Sequence, residues 1–252
     1  MKLYGKNPVF ERLRSNPASI RKIYLQQGFS ESAYVFSKAK QKGIPVMTVP
    51  GSKLQKMGRD KNTQGIMIDV DDFHYIHFEE LLEEAVKKKR CPVFIDGLND
   101  PQNLGAIIRT LGCLGKFSIV LPTHESVSVT EAVLRVASGG DNYVQIARVS
   151  NLNNSIKKAR EYGFTIVGAV LDNSSQSLHE TLLPFPMALV IGSERKGIRS
   201  VVLKNLDLPL KIPMTVHTMS MNASHATTIF CYEIIKQKAE YQNKVEARRS
   251  RD

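Results

Sequence analysis

Polar residues follow two apolar runs in this chain, and their types could position a reacting group. The first segment is DGLNDPQNLGAIIRT, residues 96–110, where Asn103 and Arg109 lie at the passage from a strand into a helix. We expect Arg109 to face back toward the loop; the alternative is a helix capped by Asn103, with Arg109 on a solvated surface. The second segment is VIGSERKGI, residues 190–198, a glycine-framed turn that carries one acid, Glu194.

A third polar segment, IPMTVHTMSMNASHATT, covers residues 212–228. A strand is predicted to end near its beginning, and Ser220, Asn222 and Ser224 cluster at the start of the last predicted helix. The first turn of a helix has free N–H groups, so this cluster suits an anion or a carboxylate.

The spacing of the glycines, serines and cysteines argues against several common kinds of site. The turn at 190–198 lacks the G-x-x-x-x-G-K-S/T spacing of a nucleoside triphosphate loop, and G-x-G-x-x-G is absent. Ser220 stands near His217 and His225 but has no G-x-S-x-G elbow and no evident acid partner, which disfavours a serine hydrolase. The three cysteines contain no C-x-x-C pair, so we expect reduced thiols and no metal site.

The positive charge of the chain is concentrated at its ends. The whole chain has 35 Lys and Arg against 24 Asp and Glu, yet residues 1–70 hold 13 basic and 4 acidic side chains and residues 71–235 hold 16 and 17. Phosphate groups are bound by such cations, so the first part is predicted to bind a polyanion; a solvated lysine-rich surface is the alternative. The basic candidates are Lys2, Lys6, Arg12, Arg14, Arg21, Lys22 and Lys53.

Strands and helices must position these residues, and their alternation predicts an α/β fold. Predicted strands at 92–96, 117–121, 143–149, 164–170, 187–191 and 208–212 alternate with helices at 104–115, 130–138 and 152–162, before a last helix from 222. Such alternation is typical of a parallel sheet covered on both faces. Ligands of open parallel sheets bind beyond the carboxyl ends of the strands, where the three polar segments lie.

Changes in charge and in the alternation of predicted strands and helices divide the chain into domains. We predict a small α/β domain at 1–75, a charge-laced helical linker at 76–90, a catalytic domain at 91–240 and a basic tail at 241–252. No apolar run reaches the 18–20 residues or so of a membrane span, so no membrane partner is expected. The N-terminus has no apolar signal region, and we expect a cytoplasmic protein.

Taken in order, the three segments resemble a known family. N-x-G-x-x-x-R-T, G-x-E-x-x-G, and I-P-M with S-x-N-x-S, spread over residues 103–224, are similar to the motifs of the SpoU (TrmH) family of RNA ribose 2′-O-methyltransferases. The opening LYGKNPVFERLRSNPASIRKIYL resembles the small RNA-binding module, akin to a ribosomal protein, of the RlmB-like branch. The resemblance covers nearly the whole chain apart from the tail.

The resemblance implies a fold, a cofactor and a set of site residues. The fold would be a SPOUT-type parallel sheet whose C-terminal segment forms a trefoil knot, in a homodimer whose active site is completed across the interface. The catalytic residues would be Asn103, Arg109, Glu194, Ser220 and Asn222. S-adenosyl-L-methionine would be bound by Gly192, Ile212, Met221, Gly168 and Gly197, largely through backbone groups.

Methylation of a ribose hydroxyl is an in-line displacement, so the enzyme must bring oxygen and carbon to about 3–3.5 Å. The family model gives Arg109 the activation of the hydroxyl. Because the pKa of arginine exceeds about 12, we favour a cationic Arg109 that orients the hydroxyl and its adjacent phosphate over a basic one.

Three functions remain open from the sequence. The RlmB-like layout favours a methyltransferase acting on a guanosine ribose in large-subunit, 23S-type ribosomal RNA. A transfer RNA 2′-O-methyltransferase of the same family is the first alternative. A non-catalytic RNA-binding factor in ribosome assembly is the second, although such a protein would have no need of all five catalytic residues.

Overall fold

The computed structural model describes residues 1–59, 61–172, 174–194, 196–216 and 219–249 of the 252-residue chain. His217 and the end of the predicted tail, residues 250–252, therefore lie outside the described residues. No helix in the described part of the chain is both long enough and apolar enough to cross a bilayer.

The first 70 residues form a small α/β domain around a mixed sheet. Its elements are β1 (Lys2–Tyr4), α1 (Lys6–Ser15), a 3-10 turn (Pro17–Ser19), β2 (Ile20–Gln26), α2 (Ser32–Lys42), β3 (Val46–Val49), α3 (Gly51–Met57) and β4 (Ile66–Val70). The strand order is β1-β4-β2-β3, with β2 and β3 parallel and the other pairs antiparallel. Elements as short as β1 and α3 show little periodicity, so the sequence did not reveal them.

The remaining described residues build a larger α/β domain. Its elements are α4 (Phe78–Lys87), β5 (Cys91–Asp96), α5 (Pro101–Leu114), β6 (Phe117–Pro122), α6 (Glu131–Ala137), a 3-10 turn (Gly140–Asn142), β7 (Gln145–Val149), α7 (Leu152–Glu161), β8 (Thr165–Ala169), β9 (Gln176–Ser177), β10 (Met187–Gly192), α8 (Ser200–Leu203), β11 (Leu208–Lys211) and α9 (Ala223–Arg249). The sheet order is β7-β6-β5-β10-β8-β11-β9, and every strand pair is parallel. The predicted parallel α/β fold is confirmed.

Alternation along the strands explains why both faces of this sheet are covered. Val93 and Ile95 pack in the cluster that includes residues of α5, α6 and α9, whereas Phe94 packs with α4 and α7. Successive strand residues point to opposite faces, so a continuous apolar strand needs helices on both sides. Helix α4, from the segment predicted as a linker, buries Leu81 and Leu82 in this second cluster.

The strand order places a switch point at the centre of the sheet. From β5 the chain moves outward through β6 to β7, and β8 then continues on the other side of the sheet, with β10 inserted between β5 and β8. Asp96 pairs in register with Gly192, so the carboxyl ends of β5 and β10 lie side by side. A crevice for a ligand is expected beyond such a point.

The two domains are joined by an ion pair that the sequence did not predict. Arg12 was expected to bind RNA, but it is only 7% exposed and donates to Asp141 of the larger domain. Its expected role is therefore wrong, because a buried guanidinium is not available to phosphate. Burial raises the pKa of Asp141, and the charge of Arg12 opposes that increase.

Arg12→Ala should destabilise the folded chain by about 3–5 kcal/mol, because Asp141 then keeps a buried charge without its partner. A carboxyl whose pKa is raised on folding stabilises the protein when protonated and loses that contribution as pH rises through the folded-state pKa. The loss from Arg12→Ala should thus be smallest in acid and grow toward neutral pH. Urea unfolding at several pH values measures it. The double variant Arg12→Ala/Asp141→Asn should recover part of the stability, and a pH-independent loss would contradict the explanation.

Candidate active site

A cavity of about 490 Å³ opens beyond the carboxyl ends of β8, β10 and β11. The turn after β10 and the start of α9 complete its walls. The cavity is lined by four of the residues expected to bind a cofactor, namely Gly192, Gly197, Ile212 and Met221. Ser220 and Glu194 also line it, so one cavity collects residues from the second and third polar segments.

Gly168 does not lie with the other expected cofactor residues. It is buried within β8, where it pairs with Val190 of β10 and Pro209 of β11. A Cβ atom at this position would lie 2.3 Å from Cδ1 of Leu206. Close packing under Leu206 therefore requires the glycine, and Gly168 is not among the residues that line the cavity.

Asn103, Glu194 and Asn222 meet at the edge of this cavity. The Asn103 side-chain amide donates to Oε1 of Glu194, and the Asn222 amide donates to the same oxygen at 3.1 Å and to Oδ1 of Asn103 at 2.9 Å. Asp100, not Asn103, caps α5, which leaves the Asn103 side chain available for these contacts. The structure thus unites one residue from each polar segment.

Asn222 also begins α9. Its Oδ1 accepts from the backbone N of Ser224 at 2.8 Å and from the Ser224 hydroxyl at 2.6 Å, while its carbonyl accepts from the backbone N of Ala226 at 2.9 Å. A side-chain oxygen that accepts from the first turn is the usual helix cap. Both ends of the Asn222 amide are therefore bound, which fixes the direction of its NH₂ toward Glu194.

The turn that carries Glu194 folds tightly over the end of β10. Ser193 and Gly197 exchange two backbone hydrogen bonds, of 3.1 and 2.9 Å. A Cβ atom on Gly192 would lie 2.2 Å from the carbonyl carbon of Gly197 and 2.3 Å from the backbone N of Ile198. Only glycine permits this return of the chain, so Gly192 determines where the Glu194 carboxylate lies.

Arg199 follows the same turn and binds Asp96 of β5; neither residue was a candidate from the sequence. The Asp96 side chain is fully buried at the end of β5 and accepts from Nε of Arg199 at 2.7 Å and from its backbone N at 2.8 Å. A buried carboxylate needs a cation or hydrogen-bond donors, so an acid at the end of an apolar strand indicates a partner nearby. The sequence offered no sign of which cation would supply it, because 103 positions separate the pair.

Arg109 lies apart from this cluster. It is exposed on α5 and lines a cleft with residues of the small domain, instead of facing back toward the loop as expected. Within the described chain its guanidinium has no hydrogen-bond or ion-pair partner. Asn103 and Arg109 thus occupy different surfaces of one helix, and Arg109 does not meet the polar cluster within the described chain.

The remaining basic candidates of the small domain lie mostly at its surface. Lys6, Arg14 and Arg21 pair with partly exposed carboxylates of Glu31, Glu11 and Asp71, respectively. The hydrogen bond from Lys6 lowers the pKa of Glu31. Lys2, Lys22 and Lys53 have no ion pair within the described part of the chain. Exposed pairs are weak, so phosphate groups could replace these carboxylates.

Arg199→Ala should destabilise the protein by about 2 kcal/mol, since it removes the charged partner of a buried carboxylate that keeps only one backbone donor. Urea unfolding measures the total, and amide hydrogen exchange at residues 193–198 should speed up more than elsewhere. Lys204→Ala, which removes an exposed cation just beyond α8, is the matched control and should change neither quantity. Equal exchange rates in Arg199→Ala and wild type would show that the Asp96 contact does not hold the turn.

Both parts of the chain match family models. Residues 91–232 match the SpoU rRNA Methylase family, and residues 2–76 match the model for RNA 2′-O ribose methyltransferase substrate binding. A protein from Staphylococcus haemolyticus named as a TrmH family tRNA/rRNA methyltransferase is 32% identical over 240 residues, 94% of this chain and 95% of that protein. A Bacillus subtilis protein of the same description is 33% identical over 239 residues, 93% of this chain and 94% of its own length.

Solved structures agree with the fold. An RNA methyltransferase structure of the TrmH family from Porphyromonas gingivalis is 26% identical with a TM-score of 0.71, covering 92% of this chain and 88% of that chain. The SpoU methyltransferase AviRb from Streptomyces viridochromogenes in complex with AdoMet has a TM-score of 0.77 at 19% identity, covering 95% and 91%. At that identity the likeness shows the fold alone. The family models and the relatives together establish that the chain belongs to the SpoU/TrmH family of RNA methyltransferases.

Proposed function

We propose that the protein transfers a methyl group from S-adenosyl-L-methionine to a ribose 2′-hydroxyl, on a guanosine of large-subunit ribosomal RNA. The observation that carries this proposal is the cluster of Asn103, Glu194 and Asn222 at the edge of the cavity that holds the expected cofactor residues. The identity of the family supports RNA methylation in general, and the motif resemblance supports the ribose hydroxyl as its target.

The cavity fits the cofactor in size and chemistry. Its volume of about 490 Å³ falls in the range of about 300–1,000 Å³ typical of small-molecule sites. Apolar side chains such as Ile191, Leu203 and Leu210 suit an adenine ring, and main-chain groups at the ends of β10 and β11 suit its polar edge. When bound there, S-adenosyl-L-methionine supplies a methyl group activated by a sulfonium centre.

Each polar residue then has a positioning role. Asn103 and Asn222 hold the Glu194 carboxylate, and through it the turn at one wall of the cavity. Ser220 lines the cavity beside them, where its hydroxyl could bind the incoming nucleotide. No described residue here is a strong base, so the proton of the ribose hydroxyl would pass to a phosphate oxygen or to water. Positioning alone can account for several kcal/mol of a barrier, up to about 11.

Arg109 requires a second protomer in this proposal. Because it lies outside the cavity of its own chain, it would reach the cavity of the partner in a homodimer. There the cationic guanidinium would orient the ribose hydroxyl and the adjacent phosphate. The exposed apolar groups Ile229 and Tyr232 on α9, which packs against α5, support an interface on this side of the sheet.

Methyl transfer to unmodified ribosomal and transfer RNA pools tests the activity. We expect labelled methyl in 2′-O-methylguanosine of large-subunit RNA, and an Asn222→Ala variant should lose at least tenfold of the rate, because it releases both Glu194 and the start of α9. Nucleoside analysis of the product gives the base and the modified atom. Label confined to transfer RNA would keep the chemistry and exclude the ribosomal substrate. Tight RNA binding without label in either pool, or on purified ribosomal subunits, would favour an assembly factor.

Mixing two inactive variants tests whether the site is shared. If Arg109 serves the partner's cavity, a heterodimer of Arg109→Ala and Asn222→Ala contains one complete site, and random mixing should restore about a quarter of the wild-type rate. If Arg109 serves its own cavity, neither site is complete and the mixture stays inactive. The rate of methyl transfer after co-refolding measures the difference, and each variant refolded alone is the control.

A further inference from the structure

A second cavity lies between the two domains, apart from the cofactor cavity of the same chain. This cleft of about 700 Å³ separates α1 and Tyr34 of the small domain from α5 and the turn after α6. No described residue lines both cavities. Its volume also falls in the range of about 300–1,000 Å³ of ligand sites.

The cleft carries an uncompensated positive charge. Arg14 donates to Glu11 at 2.9 Å and 3.0 Å, so these two charges balance within the cleft wall. The Tyr143 hydroxyl donates to the same Glu11 carboxylate. Arg109 on the opposite wall has no partner in the described chain, which leaves one net cation for an anionic ligand. Such an arrangement is suited to a phosphate group.

Aromatic rings flank this charge. Tyr34 and Tyr143 line the cleft and are 40% and 45% exposed, which is high for rings of this size in a folded chain. The Tyr34 ring is fixed by an edge contact with Phe10, at 5.5 Å between centroids, so it is held in place while its surface stays open. Exposed aromatic rings beside cations are the usual platform for unpaired bases.

Backbone contacts form the floor of the cleft. A Cβ atom on Gly140 would lie 2.8 Å from the Arg109 Cα, and one on Gly112 would lie 2.9 Å from the Gly140 Cα. A Cβ atom on Gly139 would lie 2.4 Å from the Glu11 side chain. Glycines therefore let α1, α5 and the turn approach one another, which brings Arg109 and the two tyrosines into the lining of one cleft.

We propose that this cleft binds an unpaired segment of the substrate RNA. A base would stack on Tyr34 or Tyr143. The neighbouring phosphate would contact Arg14 and Arg109, so the bound segment would lead to the partner's cavity, where the proposed function places Arg109. The inference rests on the proposed function. It adds that the two domains together bind the RNA in single-stranded form. A duplex keeps its bases stacked within itself and would not offer them to the two rings.

Variants of Tyr34 test the stacking contact. Tyr34→Ala should weaken binding of a short single-stranded RNA of mixed sequence on the order of tenfold, and Tyr34→Phe should bind as wild type because it keeps the ring. Tyr241→Ala, which removes another exposed ring far along α9, is the control. Fluorescence anisotropy measures the affinity. Wild-type affinity in Tyr34→Ala would overturn the proposal.

Cys113 offers a test that needs no substitution in the cleft. Cys113 is exposed and lines the cleft, whereas Cys91 and Cys231 are buried. Burial raises the pKa of Cys91 to about 12 and also raises the pKa of Cys231, so a thiol reagent should modify Cys113 first. Bound single-stranded RNA should slow this modification at least fivefold, and duplex RNA should not. Equal rates with and without single-stranded RNA would overturn the proposal even if Tyr34→Ala failed to fold.

Methyl transfer by the wild type separates this inference from the proposed function. Protection of Cys113 without methyl transfer to any RNA would refute the function and keep the cleft. Methyl transfer to ribosomal RNA with an unchanged KM in Tyr34→Ala, and with no protection of Cys113, would keep the function and refute the cleft. A raised KM with unchanged kcat in Tyr34→Ala supports both.

Discussion

The Glu194 carboxylate is the point on which the candidate active site depends. It accepts amide groups from Asn103 and Asn222, which lie 91 and 28 positions away in the chain. Two segments at the carboxyl edge of the sheet are thus joined to a third, the turn after β10. A carboxylate that accepts several donors is ordered by them, and it orders the segments from which they come. Gly192 and Arg199 act on the same carboxylate indirectly, by determining the path of the turn that carries it.

The architecture of the larger domain was readable from the sequence because its strands are long, apolar and separated by amphipathic helices. The three polar segments were readable as well, and most of their residues line or border one cavity. The short elements β1, α3 and β9 were missed because a few residues carry no detectable period. Charge alone misplaced Arg12, since a basic residue in a basic segment gives no sign that its partner is a buried acid in another domain.

Tertiary packing explains the other two differences. Gly168 is a glycine near a strand end, like the other glycines predicted to bind the cofactor, but Leu206 covers it. No local sequence pattern reveals such a contact. Arg109 and Asn103 are six positions apart on α5, which places their side chains on different sides of the helix. One side faces the polar cluster and the other faces the cleft. In the proposed function, Asn103 therefore serves the cavity of its own chain, whereas Arg109, on the side of the cleft, serves the cavity of a partner subunit.

The buried pair of Arg12 and Asp141 also affects how targets would be selected. A buried ion pair has few alternative geometries, so together with contacts such as those of Lys2 with Glu131 and Tyr143 with Glu11 it restricts how the small domain lies against the sheet. In the proposed function, the distance from the RNA-binding surface of the small domain to the cofactor cavity is then fixed by the fold. The enzyme would then select an RNA by the distance between the region that the small domain binds and the target ribose. A nucleotide of the right type at another distance would not reach the cavity.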